Sequence, residues 1–424
     1  MSSNRAAGAR VRKKPDRPSR VLLTGGTGFL GSHLAAALLD KGYHVTLLAR
    51  SRNGMSPEVR VWRLLDWFGL GDELRTGLRV VEAEIARPGL GLRAADAARL
   101  AAETDEIVHC ASDTSFTDRR RAEVEAANIG GLQNVLELAA ASRASFFHLV
   151  STAYVAGRTA GFCPEAPASP AAFFNAYEET KCRAEGMARD KCRAEGIRLN
   201  IYRPSIVCGD SRTGRSLLFS AVYYPVRTAL FLKDVFAKDL RERGGKRAAA
   251  MGVSLESDGS VRLPIRIGVG EGEGVNIVPV DHFTKAFLAL METADDGGTF
   301  HIVNNRLKPV GEIVSHTAEM FGLRGVEARP AAELAGAPRN ALESLFDGYL
   351  EAYGPYMRDP RVFGTEASSP ILAGRGLSCP EFDYGVFSKC MGYAVETGWG
   401  ARIFPEPDRD PPDRAFSGSG AAAT

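Results

Sequence analysis

The run Thr24-Gly25-Gly26-Thr27-Gly28-Phe29-Leu30-Gly31 restricts this chain more than any other, because it lies directly between an apolar strand pattern and a helical one. Glycines in that setting allow dihedrals closed to other residues, let the backbone approach a pyrophosphate, and let helix pack close on strand. The helix N-terminus then offers the positive end of its dipole to phosphate. Without strand and helix the glycines would be an ordinary turn. With them, Thr24, Gly25, Thr27, Gly28, Phe29, Leu30 and Gly31 are expected to hold a dinucleotide.

The alternation continues downstream. Short β-branched runs at residues 21–24, 44–50, 79–85, 106–111, 146–152 and 199–203 alternate with helical spacing at 29–41, 122–141 and 176–195. This is the form of stacked βαβ units. The expected fold class is α/β, a doubly wound Rossmann parallel sheet of six strands with a smaller, mostly helical substrate-binding domain. Residues 20–215 with 275–304 are assigned to the NADP-binding domain, and 216–274 with 305–402 to the substrate-binding portion. Within the latter, the apolar stretch 216–236 carries Pro225, Arg227 and Lys233 and reads as a buried or cleft-lining helix pair, not a membrane span. Residues 241–274 are polar and glycine-rich and read as an insertion, and strand character returns at 275–280 and 298–304.

The residues after the second strand bear on the cofactor. An NAD enzyme usually carries an acid there for the ribose 2′-hydroxyl, but this chain has Ala49-Arg50-Ser51-Arg52. Arg50 and Arg52 suit a 2′-phosphate, so NADPH is expected over NADH. Glu84, after the third strand, could accept from the adenine amino group, or be a surface carboxylate.

Tyr177-Glu178-Glu179-Thr180-Lys181 places a phenol and an ammonium one turn apart on one helix face. A nearby cation favours the phenolate and is expected to pull the tyrosine toward a range useful for proton transfer. The strand at 146–152 ends in Ser151-Thr152, at the carboxyl edge of the sheet where ligands bind in such folds. Its hydroxyl and the phenol would form a two-donor site for charge on a carbonyl oxygen.

The sequence KCRAEG occurs twice, at 181–186 and 191–196, within one expected helix. Only Lys181 has a tyrosine four residues before it, since Met187 stands before Lys191, so the second copy is read as non-catalytic.

Together these segments resemble the extended branch of the short-chain dehydrogenase/reductase superfamily over about residues 20–305. TGGTGFLG, Val108-His109-Cys110-Ala111, Asn128-Ile129-Gly130-Gly131, VSTAYV, YEETK and Tyr202-Arg203-Pro204-Ser205 follow in the order and spacing of that branch. VHCAS, VSTAYV and RPSIVCGDS are most similar to the fatty acyl-CoA reductase and thioester reductase group. The resemblance implies a pyrophosphate site at Gly25, Gly28 and Gly31, and contacts near the cofactor from Ala111, Pro204 and Ser205. It implies Tyr177 as proton donor, Lys181 as its partner and a holder of the nicotinamide ribose, and Thr152 as the catalytic Ser/Thr. Where the family has G-D-L this chain reads Ala83-Glu84-Ile85, so the adenine contact by Glu84 and Ile85 is expected to differ.

The implied reaction is NADPH-dependent reduction of an acyl thioester, on coenzyme A or an acyl-carrier protein, to an aldehyde or alcohol. The alternatives are a ketone or hydroxyl substrate of sterol or polyketide type, or a nucleotide sugar, though Arg50 counts against the latter. Intact Thr152, Tyr177 and Lys181 count against a non-catalytic nucleotide sensor.

Composition narrows the partners. Lysine plus arginine (53) exceed aspartate plus glutamate (51) by two, so the chain as a whole offers no electrostatic case for nucleic acid. Local basic charge at Arg10, Arg12, Lys13, Lys14, Arg17 and Arg20, with Pro15 and Pro18 between, reads as a disordered tail over 1–19 and not as a targeting signal. A second disordered tail is expected over 403–424. Seven cysteines without a C-x-x-C pair and seven scattered histidines give neither a disulfide framework nor a metal site. The expected location is the cytoplasm, and a homodimer is the family expectation.

Overall fold

Seven parallel strands form the sheet that carries the site in the computed structural model, which describes residues 19–270, 274–357 and 359–404. They are β1 (Arg20–Thr24), β2 (His44–Ala49), β3 (Leu78–Glu82), β4 (Glu106–His109), β5 (Phe146–Val150), β6 (Arg198–Pro204) and β7 (Gly298–Ile302). Their order is β7-β6-β5-β4-β1-β2-β3. Six strands were expected in the sheet. The seventh joins because the run read separately at 298–304 pairs in parallel with β6, Thr299 opposite Ile201. The third strand ends at Glu82, so Glu84 and Ile85 lie in the turn beyond it.

Helices cover both faces, and strand composition follows from that. Val21 and Leu23 of β1 face one apolar layer with Leu34 and Leu38 of helix Phe29–Asp40 and Phe283 and Phe287 of helix Val280–Thr293. Leu22 faces the other, with Leu132 and Leu136 of helix Gly131–Ala141 and Ala184 and Ala188 of helix Ala176–Ala194. A strand buried on both sides must be apolar throughout, unlike the alternating strands of half-exposed sheets. Strand order reverses at β1, between β2 and β4, and ligands of such sheets bind at that reversal, beyond the carboxyl ends of the strands. The glycine turn follows β1 there.

The second portion differs from expectation in two places. Residues 216–236 do not make a helix pair: a single helix, Tyr223–Glu242, begins after seven residues outside any helix and runs beyond Phe236. The polar stretch 241–274 also holds the strand Val261–Val269, which pairs antiparallel with Ser254–Leu255 and in parallel with Arg324–Pro330. Its sequence alternates apolar and polar residues, and only Pro264 and Gly268 disguise the strand signature. Helices Val310–Phe321, Ala341–Leu350 and Tyr384–Glu396 complete this portion. No helix among the described residues is long and apolar enough to cross a membrane.

Two short parallel pairs lie beyond the main sheet, the first within the nucleotide-binding portion and the second binding it to the other portion. Ile206–Cys208, just beyond β6, pairs with Ile277–Pro279, and Gly161–Cys163 pairs with Arg361–Phe363. The basic segment before Ser19 and the segment after Phe404 lie outside the described residues. A tail beginning at 403 is not what the structure shows, since Ile403 packs on the core of the second portion and Arg63 lies 5.4 Å over the Phe404 ring.

Candidate active site

Close approach dictates the composition of the glycine turn. Gly25 adopts φ +74°, where side chains are strained, and a Cβ there would lie 2.5 Å from the Ala111 nitrogen. A Cβ on Gly31 would lie 2.1 Å from the Gly25 carbonyl oxygen, so helix Phe29–Asp40 can pack into the turn only with glycine at that position. Thr24 faces inward instead: fully buried, it bonds His109 Nδ1 at 2.9 Å and accepts from the Ala111 amide at 3.3 Å. It locks β1 to β4 and shapes the turn indirectly. Ala111 contributes its backbone to the same junction.

A cleft of about 750 Å³ runs from this turn across the strand ends. Gly25 and residues 27–31 form one wall, Thr152, Tyr177 and Lys181 another, with Pro204 and Ser205 between them. The backbone at a glycine turn followed by a helix N-terminus fits a dinucleotide pyrophosphate, and a Cβ at Gly25 or Gly31 would destroy that fit. Residues far apart in the chain thus meet where the sheet topology places a ligand.

The arginines stand at one end of the site. Arg50 is largely exposed and pairs with Glu84 at 3.2 Å, and Arg52 occupies the turn that bridges to Met55. Sequence reasoning missed Arg60, on helix Pro57–Phe68, which donates to the Thr27 hydroxyl at 3.1 Å and to the Arg50 carbonyl at 2.5 Å. Burial, then Arg52 and Arg50, lower its pKa, as expected where cations gather without enough acid. Ile85 turns away from this end and packs beside Gly131, its carbonyl accepting from Asn134 at 2.7 Å.

Tyr177 sits in the first turn of helix Ala176–Ala194, whose N-cap Asn175 accepts from the Glu178 amide at 3.0 Å. The phenol opens on the cleft, yet the cleft is deep, and burial pushes it up to about 12 against a smaller opposing effect from its hydrogen bond with Thr152. The expected lowering by Lys181 is therefore corrected: the group is held as a phenol. Lys181 is buried and donates to the Val150 carbonyl at 2.6 Å, and burial brings its ammonium down to about 8. The second KCRAEG copy behaves differently, with Lys191 paired to Glu195 at 2.8 Å on the surface.

Thr152, not Ser151, faces the phenol, and the reason is electrostatic. Ser151 donates to Glu185 at 2.7 Å, and Glu185 is clasped by Arg203 at 2.6 Å and Arg189 at 2.9 Å. Burial alone would raise the Glu185 carboxyl, but the Arg203 hydrogen bonds and charge outweigh it and the net shift is downward.

Three aromatic rings near Tyr177 carry no local sequence signal. The Phe116 ring lies 5.8 Å from the Tyr177 ring, and Tyr353 and Tyr356 of the second portion pack on Phe116 at 5.7 and 5.1 Å. Asn128, in a π-helical turn, donates to Thr180 at 3.0 Å and to the Asp113 carbonyl at 3.0 Å. Such turns recur at functional sites.

Comparisons with known proteins bear on the family and the fold. The NAD-binding family described as Male sterility protein matches residues 23–287. The isonitrile lipopeptide synthase of Streptomyces coeruleorubidus is 27% identical over 406 residues, covering 90% of this chain and 25% of that protein. A linear gramicidin synthase of Brevibacillus parabrevis is 26% identical over 404 residues, covering 91% of this chain and 7% of that protein. The chain thus spans a quarter or less of the length of these relatives. In fold it is similar to the terminal R domain from the myxalamid PKS-NRPS biosynthetic pathway, with a TM-score of 0.70, 23% identity, and coverage of 94% of this chain and 95% of that one. It is also similar to the reductase (R) domain of a nonribosomal peptide synthetase from Mycobacterium tuberculosis, with a TM-score of 0.61, 18% identity, and coverage of 92% and 94%. With more than half its length matched and a tyrosine, lysine and threonine gathered over a dinucleotide cleft, the chain belongs to the male sterility-type NAD-binding family, as an NAD(P)H-dependent oxidoreductase of the extended short-chain dehydrogenase/reductase type.

Proposed function

We propose that the chain reduces an acyl group held as a thioester on a carrier protein, using NADPH, and releases an aldehyde or alcohol. The observation that carries this reading is the meeting of Tyr177, Thr152 and Lys181 in one cleft that adjoins an apolar cavity. The thiolation-reductase di-domain of an archaeal non-ribosomal peptide synthetase, similar in fold with a TM-score of 0.66, supports a carrier as the source of the acyl group.

When bound, the nicotinamide supplies the hydride. The glycine turn and helix N-terminus would hold its pyrophosphate, and Lys181 would hold the nicotinamide ribose. Tyr177, kept protonated by burial, is placed to give a proton to the carbonyl oxygen as the carbon is reduced, while Thr152 donates to the same oxygen. The resulting hemithioacetal then gives up its hydroxyl proton as the carbon–sulfur bond breaks, leaving an aldehyde and the carrier's free thiol. Arg50, Arg52 and Arg60 supply the positive charge that a 2′-phosphate requires, which supports NADPH over NADH.

The test follows NADPH absorbance with pantetheine and coenzyme A thioesters beside ketones and nucleotide sugars. Thioester-dependent oxidation is expected. Oxidation with ketones or nucleotide sugars alone would replace this reading by another of the same fold.

A further inference from the structure

A second cavity, of about 100 Å³, lies beyond the catalytic cleft and shares its wall: Phe116, Tyr154, Ile206, Ala221 and Tyr353 line both. Its far side is aliphatic. Val226 and Ala229 come from helix Tyr223–Glu242, Ile313 and Val314 from helix Val310–Phe321, and Ile267 and Val326 from the small sheet. Among the described residues the lining includes no charged side chain. Ala221 sits at the junction with φ +51°, a conformation rare for a residue with a side chain and concentrated at functional sites.

Resting on the thioester-reductase reading, we infer that this cavity receives the end of the acyl group and that the preferred substrate ends in a compact apolar group, branched aliphatic or aromatic. Three observations lead there. The shared wall sets the cavity directly beside the catalytic cleft, and Phe116 of that wall packs on Tyr177. Its apolar lining would leave a terminal carboxylate or ammonium unpaired, a burial that costs far more than apolar contact returns. Its volume is of the same order as the roughly 150 Å³ of an apolar cavity known to take benzene, room for one branched or ring-sized group, so a long alkyl chain would be left largely outside.

The experiment uses the full chain with N-acetylcysteamine thioesters of isovaleric, phenylacetic, succinic and palmitic acids. Binding is measured by calorimetry and turnover by NADPH absorbance. Isovaleryl and phenylacetyl thioesters are expected to bind and react best, with differences of roughly 10- to 200-fold for groups that fit or miss an apolar pocket. Ala229→Leu, which fills the cavity, should shift preference toward smaller acyl groups, and Val314→Ala, which enlarges it, toward larger ones, each with NADPH binding unchanged as the check on folding.

Equal binding of all four thioesters, or an equal loss for all of them in Ala229→Leu, overturns the inference. Turnover without selectivity removes the pocket and leaves the reductase reading. Size-selective binding without turnover does the reverse. Loss of both removes both.

Discussion

The Tyr356 hydroxyl donates to Glu178 Oε1 at 2.7 Å, joining the second portion of the chain to the residue next to Tyr177. Asn175, the cap of that helix, donates to the same hydroxyl at 2.7 Å, and the Phe174 amide donates to the other Glu178 oxygen at 3.0 Å. Glu178 is fully buried, and burial raises its pKa above the usual carboxylate range. The first turn of the helix that carries Tyr177 is therefore held in place by a residue 178 positions away from Glu178. Tyr356→Phe should cost about 1–3 kcal/mol by stranding a buried acceptor. In steady-state kinetics kcat should fall while KM for NADPH stays constant. A fall in melting temperature with unchanged kcat would make the contact structural only.

Lys181 predicts the alkaline limb of the pH profile. Burial lowers its ammonium to about 8, so the charged form that the site uses is present below that pH and lost above it. Tyr177, at about 12, remains a phenol throughout. The kcat/KM for the thioester, which reports the free enzyme, should decline by about tenfold per unit above pH 8. In Lys181→Arg, whose charge persists, the remaining activity should be flat over the same range.

Arg60 predicts cofactor choice. Its guanidinium is part of a group of three at the end of β2, and losing a charge-assisted hydrogen bond costs about 1.5–3 kcal/mol. Arg60→Ala should weaken NADPH binding by roughly 10- to 150-fold, as that energy converts, and leave NADH nearly untouched. An equal effect on both cofactors in a fluorescence titration would argue against a 2′-phosphate site.

Glu185 and Arg203 predict a stability effect. Both are about 1% exposed, and removing one partner from a buried pair typically costs about 3–5 kcal/mol because the other charge is left alone. Glu185→Ala should show that loss in urea unfolding at neutral pH. Because the folded-state pKa of Glu185 is depressed, the wild-type advantage should be present above the ordinary value of 4.5 and shrink as pH falls through the folded value.

The parts of this site that could be read from sequence are those whose function needs a local pattern. The glycine turn needs closely spaced glycines between a strand and a helix, and Tyr177 with Lys181 needs one helical turn. The strand end offered the hydroxyls of Ser151 and Thr152, and the family resemblance singled out Thr152. Arg60, Phe116, Tyr353 and Tyr356 reach the site only through tertiary packing, and no spacing in the sequence announces them. Ser151 shows the same limit: only its bond to Glu185 reveals that it faces away from the phenol. Strand Val261–Val269 was legible in its alternation but hidden by Pro264, whereas the start of helix Tyr223–Glu242 is marked by Pro225 in its first turn.

The most direct test compares wild type with Tyr177→Phe in NADPH oxidation driven by an acyl thioester at pH 7. Removing the proton donor should lower kcat by about 100- to 10,000-fold with NADPH binding unchanged. Oxidation at the wild-type rate in Tyr177→Phe would contradict the site.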